Sequence, residues 1–168
     1  MNKKILIALA ALSAAAGIAV ALTAPSHADE PAYADDDTAG VSALAKMLYG
    51  ECRGVKSRTE QAACVWVVLN RVDDERWPDD VVDVLSQPYQ FGGYREYFPV
   101  EDWAYELAAD VVDRWKAGHE TGQNPGRVIP EDYFYWRGSR DGHNWFRKEF
   151  ADYRGETYIF DLESPYEN

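Results

Sequence analysis

Basic side chains are scarce in this chain of 168 residues. Lys and Arg number 17 against 29 Asp and Glu, which gives a formal net charge of −12 at pH 7. Proteins that bind nucleic acids carry a basic patch, so this deficit argues against nucleic acid as a partner. An anionic membrane surface would repel the chain for the same reason.

Histidine and the common catalytic motifs are equally sparse. The three histidines, His27, His119 and His143, have no spacing typical of a catalytic zinc site. No serine lies in a G-x-S-x-G sequence, and the glycine patterns of phosphate-binding and dinucleotide-binding loops do not occur. We therefore expect neither a metal nor another cofactor.

Aromatic residues, in contrast, are abundant. The chain has six Trp, eleven Tyr and six Phe, or 14% of its residues. This exceeds what the core of one small domain needs, and flat rings suit contact with carbohydrate. Length and a hydrophobic content of 46% fit one compact domain preceded by a short tail.

The N-terminus has the pattern of an export signal. Lys3 and Lys4 precede an uncharged, alanine-rich run over residues 5–24, and small residues before Asp29 offer a cleavage site. A second small-x-small site at residues 32–34 leaves the cut position open, and an uncleaved run would remain as a membrane anchor. The expected organisation is a signal peptide over 1–28, an acidic linker over 29–39 and a secreted or wall-associated domain over 40–168.

Apolar residues at helical spacing predict two helices at the start of this domain. The first covers residues 40–52 and has its apolar stripe at Val41, Leu44, Ala45 and Leu48. The second follows Ser57 and Glu60, whose spacing predicts a capping box in which each side chain binds a backbone N–H of the other residue.

Two more helices and a hairpin are expected after these. A short helix over 79–85 precedes a long one that ends at Gly118 and carries an apolar stripe at Trp103, Leu107, Val111 and Trp115. An aromatic strand over 133–136, a turn at 138–142 and a return strand from Trp145 form the hairpin, and residues 158–160 add a third short strand. Helices followed by a small sheet predict an α+β fold.

Glu51 is the candidate catalytic residue. It falls at i+3 from Leu48 and i+7 from Leu44, so it shares the apolar face of the first helix. A carboxyl group on that face borders the core or a cleft, where burial disfavours the ionised form and suits a proton donor. The alternative is a surface glutamate, or one paired with Arg53 or Arg71.

Five segments together resemble the SleB-type cell-wall hydrolases, a family that includes spore-cortex-lytic enzymes. They are residues 44–54 (LAKMLYGECRG), 61–72 (QAACVWVVLNRV), 86–91 (SQPYQF), 133–138 (YFYWRG) and 142–147 (GHNWFR). The resemblance implies a lysozyme-like domain that cuts the glycan strands of peptidoglycan. It also implies that the family's catalytic glutamate, in its Tyr-Gly-Glu motif, is Glu51 here. Cys52, Cys64 and Gly92 depart from the family pattern.

The family resemblance favours a lytic transglycosylase over a hydrolase. Glycoside hydrolysis normally requires a second carboxylate, for which Glu96, Asp132 and Asp141 are candidates that the sequence alone cannot place. A lytic transglycosylase needs one Glu, which acts first as acid and then as base while the C6 hydroxyl of muramic acid attacks. Two other functions stay open, namely a cell-wall amidase and a non-catalytic wall-binding module.

Six further residues are candidates for substrate binding. Gln90 and Phe91 lie on a Pro/Gly loop, where an amide and a ring suit a sugar. Tyr135 and Trp136 alternate along a strand, so we expect one in the core and one facing the groove. His143 and Asn144 lie at a turn that can border the same groove. The expected partner is a peptidoglycan glycan strand, and we expect the protein to be a monomer.

Cys52 and Cys64 allow a single disulfide in an exported protein. If the first two helices form a hairpin, Cys64 lies about 9 Å along the second helix from the level of Cys52. A disulfide requires Cα atoms within about 7 Å, and a steep helix crossing would close the gap. The pairing therefore stays open at this point.

Overall fold

Four helices precede a two-stranded antiparallel sheet in the computed structural model, which describes residues 36–123, 126–152, 155–156 and 164–167. The elements are α1 (Asp36–Glu51), α2 (Arg58–Val72), α3 (Val81–Ser86), α4 (Asp102–Thr121), β1 (Tyr135–Gly138) and β2 (Asn144–Arg147). This order confirms the predicted α+β fold. The predicted signal segment, part of the linker and the strand expected over 158–160 lie outside the described residues.

Helix α1 begins earlier than its apolar repeat indicates. It starts at Asp36 rather than at residue 40, so the last residues of the predicted linker form its first turn. The stripe itself is confirmed, because Val41, Leu44, Ala45 and Leu48 are all buried. Glu51 is the last residue of the helix.

Helix α2 is the centre of the core, and every residue from Thr59 to Arg71 is buried. Its N-cap is confirmed, since the Ser57 hydroxyl accepts a hydrogen bond from the Glu60 N–H at 3.2 Å. The other half of the predicted capping box is wrong. The Glu60 carboxylate is fully buried and contacts His143 and the Asn144 N–H of the hairpin instead of the Ser57 backbone.

The limits of α3 and α4 differ from the prediction by a few residues. Helix α3 begins at Val81, after Asp80, whose side chain accepts from the Asp83 N–H at 3.0 Å. Helix α4 runs through Gly118 to Thr121 and ends at Gly122, which has a φ of 67°. Glycine within a helix costs only about 1 kcal/mol, whereas a left-handed C-terminal residue strongly favours glycine, so Gly122 ends the helix.

The hairpin is confirmed, with its first strand starting two residues later than predicted and its return strand starting one residue earlier, at Asn144. Strand β1 covers Tyr135–Gly138 and pairs with β2 so that Trp136 faces Phe146 and Gly138 faces Asn144. Gly142, in the connecting turn, has a φ of 86°, a conformation that side chains rarely adopt. Phe146 from β2 is fully buried and joins the hairpin to the helical core.

Helix α1 packs against α4, α3 and α2, and its C-terminal end faces the loop that follows α3. Within the part of the chain that the structure describes, no helix combines the length and the apolar character needed to cross a membrane.

Candidate active site

A cavity of about 340 Å³ lies between the end of α1, the loop after α3 and the hairpin. Of the seven site residues predicted from the sequence, this cavity brings together Glu51, Gln90, Phe91, Tyr135 and Trp136. His143 and Asn144 are not among its described lining residues. The cavity therefore collects residues from three segments that are far apart in sequence.

Glu51 is half-buried at the wall of this cavity. Its Oε1 atom accepts a hydrogen bond from the Gly93 N–H at 2.5 Å. The structure gives Oε2 no hydrogen bond to the described residues. The carboxyl group is thus held at one oxygen while the other remains available to a ligand, an arrangement suited to proton transfer.

Two glycines make this contact possible. A Cβ atom on Gly50 would lie 1.9 Å from the Gly93 carbonyl oxygen, and a Cβ on Gly93 would lie 2.8 Å from Glu51 Cδ. The backbones of α1 and the loop therefore approach more closely than side chains allow. Gly92, where the sequence departs from the family pattern, has open space around its Cβ position, so a larger residue fits there.

Arg71, from the last turn of α2, forms another part of the wall. It is 2% exposed, and its Nε donates to the Phe134 carbonyl at 2.9 Å while Nη1 donates to Gln90 Oε1 at 3.1 Å. Its guanidinium lies 4.9 Å from the ring centroids of both Phe91 and Tyr135. Loss of hydration lowers the pKa of Arg71 to about 10, which still leaves it cationic at neutral pH.

From the sequence alone, Arg71 is only part of a motif and a possible ion-pair partner of Glu51. The available signal was its place at the end of the apolar run that forms α2, because a cation buried near a candidate acid points to a functional site. Gln90 lies on the loop at the cavity, as expected, and its side-chain oxygen accepts a hydrogen bond from Arg71.

The aromatic wall differs in detail from the expectation. Phe91 is 7% exposed and packs against Trp136 with ring centroids 5.5 Å apart, so it offers little surface to a sugar. Tyr89, which no sequence pattern marks as a site residue, is 102% exposed at the cavity and has a φ of 66°. An exposed ring on strained backbone is typical of a functional position.

Tyr135 and Trp136 divide between core and groove only in part. Both are half-buried and both line the cavity, but Trp136 also packs against the buried core, as expected for one of the two. Two-stranded ribbons twist more strongly than wide sheets, which lets neighbouring side chains reach one cavity.

His143 and Asn144 belong to a second polar cluster around Glu60. The Glu60 carboxylate is 0% exposed, with Oε1 2.8 Å from His143 Nδ1 and Oε2 accepting from the Asn144 N–H at 2.6 Å. Asn144 is itself buried, and its side-chain amide donates to Cys64 Sγ at 3.4 Å. This cluster fixes the hairpin to α2 and does not open into the cavity.

Cys52 and Cys64 are buried neighbours with free thiols. Burial is the main cause that raises the pKa of the Cys64 thiol, and a hydrogen bond to Cys52 adds to it. The two cysteine side chains are therefore in contact. If the axes of α1 and α2 ran side by side, these side chains would be too far apart to touch.

None of the candidate second carboxylates reaches the cavity. Asp132 is exposed and paired with Lys148, Asp141 is exposed and bound to Ser139, and Glu96 is exposed. Among the described residues that line the cavity, Glu51 is the one carboxylate. No three His, Cys, Asp or Glu side chains of the described chain gather in a way that would hold a metal.

A larger cavity of about 890 Å³ lies between α4 and the segment after it. It is lined by Trp66, Trp115, His119 and Arg127, among others, and contains none of the seven predicted site residues. Size does not decide between the two cavities. We place the site at the smaller one, because it combines a half-buried acid, a buried cation and exposed aromatic surface.

This combination, on an α+β domain, is a carboxylate-centred candidate site with aromatic walls. The chain matches the family model described as Cell Wall Hydrolase over residues 56–156. It belongs to that family, and the resemblance to SleB-type hydrolases is confirmed. The matched range includes Arg71, the loop and the hairpin, and it begins just after Glu51.

A curated relative supports the same family. The chain is 30% identical over 80 residues to the spore cortex-lytic enzyme of Bacillus subtilis (strain 168). These residues make up 46% of this chain and 26% of the relative, so the chain spans about a quarter of that protein. No solved structure matches the chain.

Proposed function

We propose that this protein is an exported peptidoglycan-cleaving enzyme that acts at the glycosidic bond of muramic acid. Its reaction is that of a lytic transglycosylase, in which Glu51 serves as acid and then as base. The observation that carries the proposal is that Glu51 is the one carboxylate among the described lining residues of the cavity. Membership in the Cell Wall Hydrolase family supports the choice of substrate.

The contacts of Glu51 suit a group that both gives and takes a proton. The Gly93 N–H binds one carboxyl oxygen and orients the group. The second oxygen is left for the bridging oxygen of the substrate. A carboxyl group fixed in this way loses little entropy when the substrate binds.

The reaction requires no second acid. Protonated Glu51 donates its proton to the bridging oxygen, and the bond from that oxygen to C1 of muramic acid breaks. The C6 hydroxyl of the same sugar then attacks C1, and the Glu51 carboxylate takes the hydroxyl proton. The product ends in a 1,6-anhydro ring, and Glu51 is protonated again for the next turnover. An intramolecular nucleophile has a high effective concentration, which replaces an activated water.

The side chains around Glu51 provide the binding surface. Tyr89, Tyr135 and Trp136 offer ring faces and edges at the cavity, and Gln90 offers an exposed amide. These contacts act at short range, which suits an enzyme whose net charge of −12 opposes approach to an anionic wall.

Substitution of the acid tests the assignment of Glu51. We expect Glu51→Gln to lower cleavage of purified peptidoglycan by about 10³-fold, because the amide keeps the shape but cannot donate a proton. Thermal unfolding should change little, since the Gly93 N–H can bind the amide oxygen. Cleavage at the wild-type rate would refute the assignment.

Product analysis tests the reaction. Mass spectrometry of muropeptides after borohydride treatment should show 1,6-anhydro ends that resist reduction. Reducing ends alone would indicate a hydrolase with a second carboxylate and a water, and new free amines would indicate an amidase. Binding of the wall without any product would indicate a wall-binding module.

The proposal includes the place of action. Residues 1–28 direct export, the domain works in the cell wall or outside the cell, and a monomer suffices, since every group of the proposed reaction comes from one chain. Mass determination of protein recovered from culture medium or wall fractions shows whether the signal has been removed and at which site. Recovery with the cytoplasm only would contradict export.

A further inference from the structure

We propose that the cavity recognises a carboxylate of the substrate and that Arg71 is the residue that binds it. This inference rests on the proposed function, and it selects among forms of muramic acid. The bound group is either the carboxylate of the sugar's own lactyl substituent or a carboxylate of the attached peptide.

The charge of the cavity is opposite to that of the chain. The whole sequence carries a net charge of −12, yet the described residues lining the cavity include Arg71, Arg137 and Arg147 against a single carboxylate. Arg137 and Arg147 both pair with Glu156, at 2.7 Å and 3.5 Å. Three arginines thus line the cavity at which the proposed function places the substrate.

Arg71 differs from the other two arginines, because no acidic side chain of the described residues pairs with it. Arg71 donates hydrogen bonds to a backbone carbonyl and to the neutral Gln90 amide, and its guanidinium lies against aromatic rings. A guanidinium has five N–H donors, and the two hydrogen bonds to oxygen account for two of them. The cation is therefore held rigidly with donor capacity left over.

A purely structural role does not explain this arrangement. Burying a cation without an anion is costly, and a neutral side chain would bridge a carbonyl and an amide at lower cost. Burial lowers the pKa of Arg71 without removing its charge at neutral pH. An incoming carboxylate would provide the missing anion, in a site of low dielectric where a charged hydrogen bond is strong.

The chemistry of muramic acid then predicts a preference. Its lactyl carboxylate is free on strands without peptides, whereas peptide-bearing strands carry their carboxylates on the peptide. The lactam form of the sugar is neutral. We therefore expect preference for carboxylate-bearing strands and poor cleavage where the lactam stands at the position that Arg71 contacts.

The test compares charged strands with neutral derivatives. Peptide-bearing strands and strands stripped of peptide are each assayed before and after conversion of their carboxylates to methylamides. Loss of a charged hydrogen bond should lower kcat/KM about ten- to hundredfold. A loss with stripped strands identifies the lactyl carboxylate, and a loss with peptide-bearing strands alone identifies the peptide. If methylamide conversion changes the cleavage rate of neither the peptide-bearing nor the stripped strands, the inference is overturned.

Variants assign the effect to Arg71. Arg71→Gln should abolish the difference between charged and neutral strands, and Arg71→Lys should retain part of it because the charge remains. Arg53→Gln removes an exposed cation that does not line the cavity and should leave the difference unchanged. Persistence of the full difference in folded Arg71→Gln overturns the assignment, with folding checked by thermal unfolding. If Arg71→Gln does not fold, the Lys variant and the wild-type comparison decide.

The outcome is separable from the proposed function. Equal cleavage of neutral and charged strands to 1,6-anhydro products would refute the carboxylate site and leave the transglycosylase in place. If no strand is cleaved, the proposed function fails, and calorimetric binding of the same strands to Glu51→Gln decides on the carboxylate. Tighter binding of the charged strand would support Arg71, and equal binding would refute it.

Discussion

The contact between Gly50 and the loop at Gly93 gives the sharpest test of how the site is built. In Gly50→Ala the added Cβ would lie 1.9 Å from the Gly93 carbonyl oxygen and 2.8 Å from Phe98 Cε2, whereas ordinary contacts begin at 3.4 Å. Both obstacles are packed, and the nearer is backbone. The loop must therefore move away from α1 by about 1.5 Å to restore van der Waals contact.

Two opposing effects set the change in stability. Alanine is the better helix former by about 1 kcal/mol, which favours the variant because Gly50 lies in α1. Overpacking costs about 1–3 kcal/mol or more, and the overlap with backbone places Gly50→Ala at the upper end. We expect net destabilisation, seen as a melting temperature lower by several degrees, at about 2–4 °C per kcal/mol for a chain of this size.

Gly50→Ala should lose more activity than its lower stability explains. A shift of about 1.5 Å breaks the hydrogen bond from the Gly93 N–H to Glu51, and a misplacement of about 1 Å costs about 10²-fold in rate. The assay is release of muropeptides well below the melting temperature, so that unfolding does not contribute. Gly54→Ala is the matched control, because its Cβ would meet nothing within 4 Å. Wild-type activity and stability in Gly50→Ala would refute the close approach and the orientation of Glu51.

Two other features give separate predictions. Tyr89→Gly should raise the melting temperature by a few degrees, because glycine accepts the left-handed backbone, and should weaken binding to glycan strands. The control is the same substitution at Tyr97, which is exposed and lies outside the cavity. Unchanged binding in Tyr89→Gly would show that the Tyr89 ring does not contact the sugar. The thiols of Cys52 and Cys64 should both resist alkylation in the folded protein at neutral pH, because burial raises the pKa of Cys64 and both side chains are inaccessible. Unfolding without reductant should release two free thiols, and none would mean a disulfide.

Local patterns in the sequence predict the helices and the place of Glu51 well. The repeat of Leu44 and Leu48 fixes which face of α1 is buried, and Glu51 follows from the same spacing. The Ser57 cap is equally local, since it involves residues three positions apart. These features depend on the helical repeat of about 3.6 residues, which the spacing of apolar residues in the sequence shows directly.

Contacts between distant residues are not predictable in this way. Gln90 meets Arg71 across 19 positions, and His143 meets Glu60 across 83, so neither partner is visible in a local window. The choice between Phe91 and Tyr89 as the exposed ring has a similar cause. Both are aromatic residues of one loop, and only the packing of Phe91 against Trp136 decides which of them points inward.

Glu51 and Glu60 show how surroundings separate the functions of two glutamates on neighbouring helices. Glu60 is fully buried and has both oxygens bound by the hairpin, which leaves it no capacity for a substrate. Glu51 has one oxygen bound and opens into the cavity. The two are nevertheless linked, because Asn144, which Glu60 binds, pairs with Gly138 of the cavity wall. The buried carboxylate thus positions the strand that forms one side of the cavity into which the half-buried carboxylate opens.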